Sequence, residues 1–164
     1  MKTLQFVILL LLSINPVLAQ RDYPNPPQDL IPEKLTALPR LLEVVHFPQI
    51  NDPIKIEDSY YWKHMTSILS KTQEVTIIEY GAYIYYNNAW NLRKSYPLRE
   101  LDKTFGTKNR KLLQAQPYTW NNNWRVDNRL FGGWALWYFI GETSSGELVC
   151  GYQKIHTTSN LINP

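Results

Sequence analysis

The chain has 164 residues, a formal charge of +3 and only 19% charged residues. That length holds one domain with a genuine core rather than two, and the weak positive balance excludes strong bulk attraction to nucleic acid. Cys150 is the single cysteine, which excludes an intramolecular disulfide framework.

In chain order, Lys2, the apolar run 6–12 and then Val17-Leu18-Ala19 read as a secretory signal peptide: a positive start, a leucine-rich centre, and small or apolar residues before a cut. Asn15 and Pro16 break the run just ahead of the cut expected between Ala19 and Gln20. The run is too short for a permanent span, which takes about 20 residues. No second run of that length follows, and no cysteine stands at the cut to carry a lipid. The chain is expected to be secreted or periplasmic, with no permanent membrane span.

Residues 20–56 carry seven prolines and no glycine. Proline interrupts helix interiors and central strands, so this stretch is expected to be an N-terminal segment that is only partly docked. Its first part, 20–28, is expected to be mobile, while Leu30, Leu35, Leu38, Leu41 and Leu42 have apolar surface to bury. Pro32 fits the first turn of a short helix from Glu33, and Pro39 its end. A single domain is expected over 57–164.

Within that domain the clearest helix is predicted at 58–71, because Tyr61, Met65, Ile68 and Leu69 fall at i, i+4, i+7 and i+8. From 75 to 86 the chain becomes β-branched and aromatic, and Asn87-Asn88 then predicts a tight hairpin turn. Gly81 marks a bulge or bend in that strand. A second helix is predicted over 95–106, with Leu98, Leu101 and Phe105 on one face and Gly106 as its stop. A short strand is expected at 111–116 and a loop over 118–130. A second hairpin follows, 134–140 with 148–155; on its first arm Trp134, Leu136, Tyr138 and Ile140 share one face, and Ala135, Trp137 and Phe139 the other.

These elements add up to an α+β fold: an antiparallel sheet of about 4–5 strands in two hairpins, with two or three short helices packed on one face. The fragment from Leu98 to Gly106, with the strands after it, resembles small periplasmic BamE-like and β-lactamase-inhibitor-like domains. The resemblance rests on apolar spacing over about a third of the chain and implies a short helix, then a three-stranded meander; it implies no function.

Few residues suggest catalysis. His46, His64 and His156 share no metal-ligand spacing, so no metal or cofactor is expected, and His64 is expected as a half-exposed surface residue on the helix. Cys150 and His156 are six strand positions apart, roughly 20 Å, too far to pair. Cys150 is expected to be buried and inert. Glu79 sits inside an apolar strand; burial would raise its pKa and suit it to acid–base work, whereas a lysine or arginine partner would make it structural.

The most distinctive stretch runs from Trp120 to Arg129. Trp120, Asn122, Trp124, Arg125, Asp127 and Arg129 mix flat apolar rings with amides, a carboxylate and guanidinium groups. Rings that stack on sugar faces beside groups that take hydroxyls suit a glycan, and Trp and Arg also anchor protein interfaces. A basic cluster, Arg93, Lys94, Lys108, Arg110 and Lys111, would favour weak contact with an anionic surface or partner. The leading expectation is an exported, non-enzymatic domain that binds a protein or glycan. The alternatives are a small secreted hydrolase using carboxylates such as Glu79 and Asp127, and an inhibitor-type or structural envelope protein using a sheet face.

Overall fold

The computed structural model describes residues 24–162, so the expected signal peptide and its cut lie outside the described residues. In chain order the elements begin with α1 (Glu33–Thr36), β1 (Leu42–Phe47), β2 (Ile50–Asn51), β3 (Ile54–Ile56), β4 (Ser59–Trp62), β5 (Met65–Ser70), β6 (Val75–Tyr86) and β7 (Ala89–Ser95). A 3-10 turn (Leu98–Glu100) then runs into α2 (Leu101–Phe105). It is followed by β8 (Lys111–Leu112), β9 (Tyr118–Trp120), β10 (Arg125–Asp127), β11 (Gly133–Thr143) and β12 (Leu148–Thr157). With 53% of the described residues in strands and 9% helical, the α+β expectation is overturned: the fold is mostly β, a curled mixed sheet.

The spine is the antiparallel run β7–β6–β11–β12, which β2 extends in parallel along β12. Strands β1–β5–β9 form a second layer over one face of this spine, and β3–β4–β10 form a third small sheet. Between the first two layers lies the main core, where Leu42, Val44 and Ile68 meet Ile77, Tyr80, Phe139 and Val149. The layers nearly touch at Gly151, where an added Cβ would sit 2.5 Å from the Leu42 Cβ. Leu101 and Phe105 of α2 fill one end of the core.

The opposite face of the spine is covered as well. Leu35 and the flanking Ile31 and Leu38 pack on Tyr83, Leu136, Tyr138, Ile140 and Cys150. Polar bonds fasten this strap: Trp90 Nε1 donates to Leu30 O (2.9 Å), Lys154 Nζ to Pro27 O and Gln28 O (3.0 Å each), and Trp134 Nε1 to the Asn25 side chain (3.0 Å). Residues 25–28, within the stretch expected to be mobile, thus hold defined contacts. A spine buried on both faces needs apolar residues at every position of its strands, which is why 75–86 and 134–140 lack polar alternation.

The predicted helix at 58–71 does not form. Strands β4 and β5 occupy it, and Trp62, His64, Thr66, Ile68 and Ser70 are all buried, a strict period of two. Three of those inward residues are polar, so apolar spacing alone gave a helical period by coincidence. The loop expected at 118–130 contains two short strands, since β9 pairs with β5 and β10 with β4.

Elsewhere the expectations survive in reduced form. The turn between β6 and β7 is Asn87-Asn88, with φ of 52° and 58°. The second helix shrinks to the 3-10 turn plus α2 and stops at Gly106 with φ 75°. Residues 111–116 keep only β8 as strand. No three-stranded meander follows Gly106, because β8 pairs with β6, β9 with β5 and β10 with β4; the resemblance drawn from that fragment carries no fold. The β6 bulge falls at Ile78, opposite Ile140 and Gly141, rather than at Gly81. It moves Ile77 onto the face of Tyr80 and leaves Ile78 at the surface. Gly81 instead admits a crossing: an added Cβ would lie 2.4 Å from Lys94 O and 2.9 Å from the Tyr138 ring.

Candidate functional site

The residues from 120 to 129 divide between two hollows. Trp120 is half-buried, edge-on to Tyr96 (6.1 Å), Phe105 (6.0 Å) and Trp137 (5.6 Å). It forms a core wall more than a free ring. Its outer side, with Asn121, Asn122, Glu100 and Lys103, borders a shallow hollow of about 530 Å³.

Trp124, Arg125 and Asp127 open into a second, more apolar cleft of about 570 Å³ between β10, β7 and the start of β11. Antiparallel pairing sets their direction: Arg125 lies opposite Trp62 and Asp127 opposite Tyr60, so alternation along β10 puts both on one side. Trp124 is 42% exposed, and Lys63 Nζ lies 4.8 Å from its ring centre. Arg125 is sandwiched between the rings of Trp62 (4.2 Å) and Phe131 (4.1 Å), and it donates to Thr157 Oγ1 at 2.7 Å. A guanidinium held this way keeps its plane fixed before any ligand arrives. Asp127 takes the Arg129 backbone N–H at 3.1 Å, and the Arg129 side chain itself is exposed.

Beneath the cleft lies a buried polar layer that the apolar pattern did not reveal. Asn123 Nδ2 donates to Thr66 Oγ1 (2.7 Å), and Thr66 Oγ1 meets His46 Nδ1 at 2.9 Å. His46 Nε2 lies 3.2 Å from Gln153 O. A carbonyl only accepts, so Nε2 carries the proton, and the Thr66 hydroxyl donates to Nδ1. His64, expected at the surface, is buried; its ring stands edge-on to His46 at 5.9 Å. Its Nδ1 lies 3.4 Å from both Trp62 O and Asn51 Nδ2, and Nε2 has no hydrogen-bond partner among the described residues. Burial lowers both imidazoles to about 4, His46 with a further push from His64. The layer is therefore neutral at pH 7, and Asn123 ties the aromatic stretch to it.

The basic cluster also divides. Arg93 and Lys94 border the cleft. Lys108, Arg110 and Lys111 belong to a turn closed by Lys111 N–H to Lys108 O (3.1 Å). There Asp102 accepts from the Thr107 hydroxyl (2.5 Å) and Arg110 N–H (2.8 Å), which hold its carboxyl below the usual range, and Lys111 pairs with Glu74 at 2.5 Å.

Glu79 and Asp127 are not brought together. Glu79 faces the strap, where Lys34 Nζ reaches both its oxygens at 2.6 Å and Tyr138 Oη donates at 2.7 Å. Burial alone would raise its pKa, but those bonds outweigh it and the net shift is downward. Cys150 is buried on the same side, its thiol directed at Leu35 O (3.4 Å) and its pKa raised by burial. Among the described residues no three His, Cys, Asp or Glu side chains cluster as metal ligands, and no helix is long and apolar enough to cross a membrane.

The cleft residues missed from sequence are His64, Tyr96, Phe131, Trp134 and Trp137, together with Lys63, which lies over the Trp124 ring. Strand alternation from 62 to 70 was the available signal for His64; the others needed the pairing of β10 with β4. No protein-family model, curated protein or solved structure matches the chain.

Proposed function

We propose that the chain is an exported binding module whose cleft holds a glycan-type ligand. The observation that carries this is the meeting, in one cleft, of exposed Trp124 with the rings of Tyr96, Trp134 and Trp137 and with Asn123, Arg125 and Asp127. Aromatic faces take the apolar face of a sugar ring, while amide, guanidinium and carboxylate groups orient its hydroxyls. The pre-stacked Arg125 lowers the ordering cost of such binding.

Titration of tryptophan fluorescence with a saccharide panel tests the reading. A saturable change expected for at least one saccharide should be lost in Trp124→Ala, whose fold should persist. No saturable change with any saccharide would refute it.

A second reading has its own observation. Val45 and Phe47 (69% exposed) face outward from β1, and Phe47 pairs across to exposed Met65 on β5. This flat apolar run suits a protein contact. A Phe47→Ser variant that lost partner recovery while keeping saccharide binding would favour it.

A further inference from the structure

From the buried polar layer under the same cleft, and resting on the glycan reading, we propose that His64 is a ligand-binding residue whose Nε2 takes a hydroxyl of the saccharide. A buried polar atom costs stability unless a hydrogen bond compensates it, so folded proteins leave few of them unpaired. The layer obeys this almost throughout. Asn123 donates to Thr66, Thr66 to His46 Nδ1, and His46 Nε2 to Gln153 O. His64 is the exception. It is 6% exposed and borders the cleft, yet its Nε2 meets no hydrogen-bond partner among the described residues.

Ring geometry sets where that atom points. Nδ1 is turned to Trp62 O and Asn51 Nδ2, each 3.4 Å away, and neither residue lines the cleft. The two nitrogens of an imidazole diverge, so Nε2 is directed away from that pair, toward the cleft side of the ring. The neighbours of Nδ1 also define what Nε2 can bind. With the proton on Nδ1, Trp62 O accepts it and Nε2 is left as an acceptor; with Nδ1 bare, it accepts from the Asn51 amide and Nε2–H is a donor. A hydroxyl both donates and accepts, so it satisfies either tautomer. A carboxylate serves only the second, and an ammonium only the first. Burial holds the imidazole at about 4, so it is neutral at pH 7 and exerts no pull on a charged group. A sugar hydroxyl fits on both counts. Trp124 at the rim then takes the ring face, and His64 at the floor takes the hydroxyl.

The test uses full-length mature protein, with neutral trisaccharides of glucose, xylose, mannose and galactose as probes. In protein carrying isotope-labelled histidine, NMR should show the Nε2 resonance of His64 shifting when a trisaccharide that changes tryptophan fluorescence is added. Both ring nitrogens of His46 should stay where they are. Two variants separate the roles of the nitrogens, since the amide of His64→Gln stands near the Nε2 position and that of His64→Asn near Nδ1. His64→Gln should bind within about threefold of the parent, and His64→Asn about tenfold more weakly. The resonance shift, read in the unsubstituted protein, decides the matter if either variant fails to fold. Saturable binding with an unmoved His64 Nε2 resonance, and with undiminished affinity in His64→Asn, overturns the inference, makes a bound water the partner of that nitrogen, and leaves the glycan reading standing. No saturable binding of any trisaccharide overturns both.

Discussion

Acidification from pH 7 to pH 5 should unfold this protein far more readily than its carboxylates alone would allow. His46 and His64 are 3% and 6% exposed, and burial lowers both from 6.5 to about 4. The unfolded chain takes up their protons as pH falls through about 6.5, while the folded chain resists until about 4. Their stabilising contribution is complete above pH 6.5 and is lost progressively as pH falls toward 4. One imidazole loses up to about 1.4 kcal/mol per pH unit in that window, so by pH 5 the pair costs about 4 kcal/mol relative to pH 7. Against a total stability of about 5–15 kcal/mol this is large, and it corresponds to a drop in melting temperature of roughly 10 °C. Glu79 and Asp102, both shifted below ordinary values of 4.5 and 3.8, lose their contributions only at lower pH, which leaves this window to the histidines. Thermal melts every half pH unit measure the slope. The variant His46→Asn should melt lower at pH 7, yet its slope between pH 6.5 and 5 should fall to about half that of the parent. A flat parental profile over that range, or an unchanged slope in the variant, would refute the reasoning.

Three further outcomes are expected. Truncating Trp120 to alanine should cost about 3 kcal/mol of stability, as a ring packed against Phe105, Tyr96 and Trp137 does; Trp124→Ala should cost under about 1 kcal/mol, and paired denaturant melts separate them. Gly81→Ala should destabilise by about 1–3 kcal/mol, because its methyl would strike Lys94 O; an unchanged midpoint would show that β7 shifts freely. Cys150 should resist a thiol reagent until denaturant is added, given its burial and its contacts to Leu35 O and Leu38 O, and rapid native labelling would contradict its place in the core.

The two hairpins around β6 and β11 were legible because their apolar runs, the Asn87-Asn88 turn and Gly146 (φ 83°) are local signals. Strands β4 and β5 were not, because their inward positions carry His64, Thr66 and Ser70, and hydrophobic periodicity is blind to a buried polar layer. The cleft was half legible. Composition marked Trp124, Arg125 and Asp127, but Arg93 and Lys94 join them only through a break in strand register, which no local pattern encodes. Asn122 was singled out from a run of three asparagines; the neighbouring Asn123 is the one that Thr66 holds.

The strap has a consequence for the order of assembly. Its partners Cys150, Tyr152 and Lys154 stand 112 to 127 residues further along the chain. The strap is therefore seated in part by residues made more than a hundred positions later, and the entropy of closing so long a span comes due before those contacts reward it. Until β12 arrives, Leu136, Tyr138 and Ile140 stay uncovered on that side of the spine. Emerging chains thus present a sticky, half-finished sheet, and a holding chaperone that shields it until β12 has emerged would raise the yield of folded protein.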